Sequence, residues 1–379
     1  MFSTYLKEIS GYFNRRFLLS AFFPVLAFAS LNLAMSLALW GPQLLVDLWQ
    51  QQATELKALA SIGAIILIFF IAYLFHVFKA VLSRIYEGNW NEVPIIKWWE
   101  KNRRKHYQLV WDYIDEESKQ LNSEITALEK RPSEGEETSQ ELENRTSEGE
   151  ETLQELERLR KAKELRNHKQ KIDYKRFRFL PPSRSDVMPT MLGNILRNSE
   201  SYSMQHYNID AIVIWPRLQS LLPKDFLEEL RDAEANVDLL LLVTTLAGLS
   251  AFGWEIYLGF FSDRYDLFLI STLGWILALV GYFSALQAAL TFSELFKAAF
   301  DLYRWDLLKA LHLKLPENYK VERKLWEVIS QFFYRNYPPS QEVLRFETEI
   351  GKSPTPSTKP GIFNRIFSLL IHPFTSDDR

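Results

Sequence analysis

The chain contains no cysteine among its 379 residues. It therefore forms no disulfide, binds no zinc or iron–sulfur cluster through thiolates, and uses no thiolate nucleophile. An excess of one charge is also lacking, since 44 Lys and Arg residues stand against 47 Asp and Glu residues, a formal net charge of -3. Nucleic-acid binders carry a clear basic excess, so we expect no nucleic-acid partner.

Motifs for catalysis or cofactor binding are missing as well. The six His residues form neither a His-x-x-x-His pair nor an HExxH motif. The 14 Gly residues form no phosphate-binding loop, and no G-x-S-x-G nucleophile elbow occurs. We therefore expect a protein that is not an enzyme and that has no cofactor or metal. An enzyme acting on lipid is the catalytic class that stays open.

Long hydrophobic runs, by contrast, are present four times. A bilayer crossing needs about 20 apolar residues. The charge-free runs are 17–46, 58–78, 239–254 and 267–293. The third run meets Glu255 and continues to Phe261, and Pro24 predicts a kink in the first. Short connections within each pair of runs predict two transmembrane helical hairpins.

Basic residues predict the orientation of these spans. Lys and Arg are concentrated before the first run, after the second and after the fourth. Only Lys57 lies between the first two runs, and only Arg264 lies between the last two. Because cytoplasmic loops carry the excess of Lys and Arg, we expect a multi-pass protein of the inner or plasma membrane. Both termini and the region between the hairpins are then cytoplasmic.

The predicted fold class is an all-α membrane protein, with four spans in two hairpins and a helical cytoplasmic domain. We expect an N-terminal amphipathic helix and the first hairpin in 1–83, the cytoplasmic domain in 84–235, the second hairpin in 236–293, cytoplasmic C-terminal helices in 294–350, and a linker with a tail in 351–379. The tail is too short to span a bilayer. It is expected either on the membrane surface or packed on the folded part.

A charged arm is predicted inside the cytoplasmic domain, from about residue 114 to residue 172. The segment 131–144 is followed directly by a near copy at 145–158, an offset of two heptads. Aliphatic residues share one seven-residue register: Ile114, Leu121, Leu128, Leu142 and Leu156. Two interpretations stay open, a solvated arm of dispensable length and a coiled-coil contact between subunits.

Caps and prolines predict the ends of the helices before the third span. Thr190 has the side chain of a helix N-cap. Pro216 is expected to close the apolar run 209–215, and Pro223 to begin a helix that feeds the third span.

The fourth span is expected to continue as one helix to Pro316. Its continuation has an amphipathic face with spacings of three and four residues: Phe296, Phe300, Tyr303, Leu307 and Leu311. A further helix is predicted to about Arg335, with Val321 and Leu325 on its apolar side.

Polar residues inside the apolar runs are the candidate site positions: Asn32, Ser36, Glu255 and Gln287. A polar group in a span is a functional candidate by default, yet it is also ordinary glue between membrane helices. Packing and pore lining therefore both stay open for these positions. For Glu255 a third interpretation is a place at the outer membrane interface.

The segment LGNILRNSESYSMQHYNIDAIVIWPRL at 192–218 resembles one in uncharacterised bacterial multi-pass integral membrane proteins. The resemblance covers mainly residues 189–223, and the stretch 301–316 adds to it. Those proteins carry paired membrane hairpins around a cytoplasmic part, so the resemblance implies the same organisation here. It implies no activity, cofactor or functional residue.

The sequence favours a non-enzymatic membrane protein that forms a homo-oligomer and couples a cytoplasmic protein partner or signal to the lipid bilayer. It would act as a scaffold, sensor or effector. The alternative is an oligomeric ion channel or pore gated by its cytoplasmic helices.

Overall fold

A computed structural model describes residues 17–90, 94–129 and 148–335. The helices in these ranges are α1 (Leu18–Trp40), α2 (Pro42–Gln50), α3 (Thr54–Glu87), α4 (Pro94–Glu129), α5 (Glu148–Phe179), α6 (Met191–Tyr207), α7 (Ala211–Leu218), α8 (Lys224–Phe261), α9 (Phe268–Ala310) and α10 (Tyr319–Arg335). No strand occurs in the described ranges, so the all-α class is confirmed there. The predicted N-terminal amphipathic helix, most of the repeat, the linker and the tail lie outside the described residues.

Four helices are long and apolar enough to cross a membrane, namely α1, α3, α8 and α9. This confirms the four predicted spans at the level of helix length and composition. The helices α8 and α9 contain 38 and 43 residues. At a rise of about 1.5 Å per residue they are about 57 Å and about 65 Å long, roughly twice the hydrocarbon core of a bilayer. Both therefore extend well beyond their apolar parts.

The first span is shorter than its charge-free run. Its helix ends at Trp40, Gly41 adopts a φ of +78°, and a separate helix starts at Pro42. A positive φ is easy for glycine, and proline fits the first turn of a new helix, so the chain turns here. Near the other end, a π-helical turn at Leu18–Phe22 ends two residues before Pro24. The proline ring clashes with the carbonyl four residues earlier and has no N–H to donate to it, which favours this wider helical turn.

The helices α8 and α9 run antiparallel and contact each other along their lengths. Small residues bring them close together. A Cβ atom added at Gly274 would lie 2.8 Å from the Cβ of Ala251, and one added at Gly281 would lie 2.6 Å from Oγ1 of Thr244. Close approach of this kind holds helices together in lipid, where no hydrophobic driving force acts between them. The helices α1 and α3 pack against one side of this pair.

A helical block surrounds the end of α9 that lies beyond the apolar run. We use this name for α6, α7, α10 and residues 294–310 of α9. The core around this end of α9 contains these fully buried side chains: Ile209 (between α6 and α7), Ile214, Leu218, Phe300, Leu308, Trp326 and Ile329. Phe296, Phe300 and Leu307 are all buried in this core, which confirms the predicted apolar face of α9.

The end of α9 differs from the prediction, because the helix stops at Ala310 and does not reach Pro316. His312 has a φ of +56°. The N–H of Leu313 donates to the carbonyl of Leu308 at 3.0 Å, and the N–H of His312 donates to that of Lys309 at 2.9 Å. These two bonds form a Schellman motif, which ends a helix without any proline.

Two smaller predictions about the block are wrong. Pro216 lies inside α7 and does not close the run, since the helix continues to Leu218. Val321 is exposed, and its neighbour Glu322 is buried in its place. Glu322 forms an ion pair with Arg304 of α9, and this pair orients α10 so that Glu322, and not Val321, faces the core.

The start of α6 packs directly against the C-terminal end of α3, a contact that we call the seat of α6. The residues that form it lie at the start of the segment that carries the resemblance. Oγ1 of Thr190 accepts from the N–H of Gly193 at 3.0 Å and donates to the carbonyl of Glu87 at 2.9 Å, which confirms the predicted cap. A Cβ added at Gly193 would lie 2.1 Å from that carbonyl oxygen. The buried Asn194 amide binds both backbone groups of Met188, at 2.7 and 3.0 Å. Because the backbone of α6 lies so close to the Glu87 carbonyl, only glycine fits at position 193.

The predicted arm, about 114–172, falls within α4 and α5, which pack antiparallel. From here on, the arm means these two helices. Arg176 binds Asp115 at 2.6 Å, and Oγ of Ser118 donates to Asp173 at 2.6 Å. Leu121 is buried, as the register predicts. Leu156 is exposed, so the predicted buried stripe does not continue to it.

We predict that Gly193→Ala unfolds the contact between α6 and α3. The added methyl group has no room beside the α3 carbonyl, and overpacking of this kind costs about 1–3 kcal/mol of unfolding free energy. Unfolding of the purified protein in mixed micelles measures the change. Gly63→Ala is the matched control, because a Cβ there meets nothing within 4 Å. Equal stability of the two variants would contradict the close contact.

Candidate functional site

Asn32 joins the first and third spans. Its Nδ2 donates to Oγ of Ser250 at 3.0 Å, and its Oδ1 accepts from Nε1 of Trp254 at 2.7 Å. Nδ2 also donates to the carbonyl of Phe28 in its own helix at 2.7 Å. Both ends of the amide are therefore hydrogen-bonded inside the bundle. Oγ of Ser36 donates to the carbonyl of Asn32 at 2.8 Å and makes no link to another helix.

The other two candidate positions lie elsewhere on the bundle. Glu255 accepts from Nε1 of Trp275 at 2.9 Å and so links the third and fourth spans. Gln287 is exposed on the outer surface of α9. Along α9, Trp275 and Gln287 are about 18 Å apart. The four candidate residues therefore do not line a common path within one chain.

An apolar groove of about 260 Å³ runs beside Asn32 between α1, α8 and α9. Met35, Leu277 and the backbone of Gly274 line it, together with Ser250. Because the Asn32 amide is engaged by its neighbours, the groove offers an apolar wall with little free polarity.

A second cavity, which we call the boundary cavity, lies where α3, α6, α8 and α9 meet. Its volume is about 380 Å³. Lys79, Arg84 and Glu234 are exposed at its rim. Val237 and Phe296 are buried at its floor. The cavity thus combines a charged, open rim with an apolar floor.

Charges of both signs face the boundary cavity. Nζ of Lys79 and Oδ2 of Asp238 form an ion pair at 3.1 Å across α3 and α8. Oγ of Ser83 donates to Glu87 at 2.8 Å. On α6, burial raises the pKa of Glu200, although the carboxylate accepts a hydrogen bond from Arg197.

In the helical block, one carboxylate on α9 holds two phenols of α6. The hydroxyl of Tyr202 donates to Asp301 at 3.0 Å, and the hydroxyl of Tyr207 donates to the same carboxylate at 2.7 Å. Burial raises the pKa of Tyr202, and Asp301 raises it further. Burial and the hydrogen bond to Asp301 raise the pKa of Tyr207 to about 12. Both phenols therefore stay protonated and act as donors.

A buried acid fastens α10 to the same part of α9. Glu322 accepts from Nε of Arg304 at 2.7 Å and from Nε1 of Trp305 at 2.7 Å. The guanidinium of Arg304 also lies 4.1 Å from the ring centroid of Tyr207. Hydrogen bonds to charged groups contribute about 1.5–3 kcal/mol each, so these contacts hold α10 tightly to α9.

The residues of the cavity and of this network were not found from the sequence. Lys79 and Asp238 are 159 positions apart, and Tyr202 and Asp301 are 99 apart. No spacing rule connects residues at such distances. Among the residues that the structure describes, no three His, Asp or Glu side chains come together to hold a metal ion.

No protein-family model, curated protein or solved structure matches the chain. The resemblance of 192–218 therefore rests on its residues alone. Within the structure these residues have packing roles. Gly193 seats α6 on α3, and Asp210 caps α7 by accepting from the N–H of Val213 at 3.3 Å.

We predict that Asn32→Ala lowers the unfolding free energy by about 1 kcal/mol, the usual size of a hydrogen bond between membrane helices. The substitution leaves the indole N–H of Trp254 without its acceptor. The measurement is reversible unfolding in mixed micelles, with Ser36→Ala as control, because that hydroxyl binds only its own helix. If both variants were as stable as the parent, Asn32 would not be a packing residue.

Proposed function

We propose that the chain is a non-enzymatic, multi-pass protein of the inner or plasma membrane that couples a cytoplasmic partner or signal to the bilayer. It acts as a scaffold, sensor or effector, with both termini in the cytoplasm. The observation that carries the proposal is the continuity of α9. One unbroken helix runs from Phe268, in the apolar bundle, to Ala310, in the helical block.

The stiffness of this connection supports coupling. The helix α8 lies along α9 and likewise extends from the side of the block, where Leu230 packs on its core, into the apolar bundle. Tyr202 and Tyr207 hold α6 to Asp301, and Glu322 holds α10 to Arg304. Rigid secondary elements joined in this way carry a displacement from one end to the other. A partner that moved the block would therefore tilt the second hairpin.

The arm offers the partner a surface on the cytoplasmic side. The helix α4 has 36 residues and is about 54 Å long. It presents exposed Trp98, Leu109 and Tyr113. In our proposal α1 with α3, and α8 with α9, form the two hairpins, and the arm and the helical block together form the cytoplasmic domain.

Exposed faces in the bundle support a homo-oligomer. Ala72 is the one buried residue of the 34 in α3. On α9, the amide of Gln287 is exposed next to Phe283. The exposed apolar face of α3, together with Phe283 of α9, gives a second copy of the chain a surface on which to pack.

The channel alternative has less support from the geometry. Asn32 and Glu255 are hydrogen-bonded to tryptophans of neighbouring helices, so they hold the bundle together. A pore would then have to lie between subunits, with Gln287 as its polar group.

Subunit counting and conductance test the two functions together. We expect native mass spectrometry of the detergent-purified protein to give one discrete homo-oligomer. In planar bilayers we expect no conductance above that of lipid alone. A monomer would contradict the proposed assembly. A ring of four or more subunits that conducts ions, with a conductance changed by Gln287→Leu, would replace the proposal by the channel.

We predict that removal of the Asp301 carboxylate loosens α6, and with it the helices packed on α6, from α9. Because the chain has no cysteine, spin labels at Leu279→Cys on α9 and Lys320→Cys on α10 are unique. Arg304, which binds Glu322 of α10, lies about 38 Å along α9 from Leu279. Electron–electron resonance should give a narrow distance distribution, and Asp301→Ala should broaden it.

The matched control for this experiment is Asp306→Ala on the same helix. Asp306 forms an exposed pair with Lys309, at 3.0 Å, and such pairs contribute little. The control should keep the narrow distribution. A broad distribution in the unsubstituted protein would contradict a rigid connection.

A further inference from the structure

The boundary cavity lies at the level where hydrocarbon meets headgroups. Lys79 is the first charged residue after the charge-free run of α3, and Asp238 is the last one before that of α8. These two residues form the ion pair at 3.1 Å. Phe292, also in the lining, stands at the end of the charge-free run of α9. Three spanning helices thus place the cavity at the same boundary.

The order of charges along α3 is the second observation. The bases Lys79 and Arg84 line the part nearer to the apolar run, and Glu87 lines the part farther from it. The axial rise from Arg84 to Glu87 is about 4.5 Å. Glu200 faces the cavity from α6, and the charge of Glu87 contributes to its raised pKa. Along α3, moving away from the apolar run, the two bases therefore come first and the carboxylate of Glu87 follows, while the carboxylate of Asp238 on α8 lies at the level of Lys79.

We propose that the boundary cavity binds the headgroup of an aminophospholipid, a phosphodiester that carries a primary ammonium. In such a lipid the phosphate is next to the acyl chains, and the ammonium lies farther out on a two-carbon spacer. The phosphate meets Lys79 and Arg84, and the ammonium donates to Glu87 and Glu200. The acyl chains leave past Phe292 along the apolar surface of the bundle. The inference stands apart from the coupling function.

The chemistry of the lining selects against other headgroups. Four carboxylates and two bases line the cavity, so a purely anionic headgroup meets excess negative charge. A quaternary ammonium has no N–H to donate to the carboxylates, whereas a primary ammonium has three. Lys79 can serve both Asp238 and a phosphate, because its ammonium also has three donors.

Lipid competition tests the assignment. The full-length protein is placed in nanodiscs with equal parts of phosphatidylethanolamine, phosphatidylcholine and phosphatidylglycerol, and retained lipids are counted by native mass spectrometry. We expect phosphatidylethanolamine to be retained at least about tenfold over the other two, a difference of one decade in affinity. Equal retention of all three, or preference for phosphatidylglycerol, overturns the proposal. Displacement by soluble glycerophosphoethanolamine at equal concentration overturns the assignment to a lipid.

Variants locate the binding. The double substitution Glu87→Gln with Glu200→Gln keeps the shape of both side chains and removes their charge. It should abolish the preference for phosphatidylethanolamine over phosphatidylcholine, while Arg84→Gln should lower the retention of both. Glu228→Gln, on the exposed surface of α8, is the control and should keep the preference. A preference that survives the double substitution in folded protein overturns the site, and the lipid competition decides the proposal if that variant does not fold.

Discussion

The contact between α8 and α9 is the constraint on which the rest of the structure depends. Gly274 and Gly281 let the two helices approach until a Cβ on either would collide with its neighbour. The pair is longer than a bilayer is thick, so the same two helices form both the centre of the bundle and the base of the helical block. The other spans attach to one end of this pair, and α6, α7 and α10 attach to the other. A change in the crossing of α8 and α9 therefore reaches both ends.

Polar groups have different tasks at different depths. In the bundle, Asn32 and Glu255 each accept a hydrogen bond from a tryptophan of another helix, so their polar atoms are engaged by the protein itself. At the boundary, Lys79 and Asp238 pair across an open cleft, where an incoming group can share them. In the block, Asp301 is shared by two phenols. The polar groups of the bundle are engaged in hydrogen bonds between helices, whereas those of the boundary are accessible.

Hydropathy and periodicity predicted the four spans and the continuation of α9, because burial in lipid or in a core leaves a repeating pattern in the sequence. The end of α9 was missed, since His312 takes the left-handed conformation that glycine usually takes, and Pro316 gave a false signal. The tyrosines that bind Asp301 were missed because tertiary pairing leaves no local pattern. Of the candidate residues, Asn32 shows its bonding only when Trp254, 222 positions away, is placed beside it. A sequence pattern shows which single residues are buried, but it does not show which distant residues contact each other.

Lipid binding and coupling share the same elements in our proposals. The boundary cavity is walled by α3 and α6 as well as by α8 and α9. Its shape depends on the seat of α6, where Gly193 lies against the carbonyl of Glu87. A headgroup that bridges Arg84 and Glu200 contacts both sides of that seat, so it binds the seated arrangement better than an opened one. A ligand shifts an equilibrium by its difference in affinity between the two states. An aminophospholipid in the cavity would therefore stabilise the connection through which the block acts on the membrane.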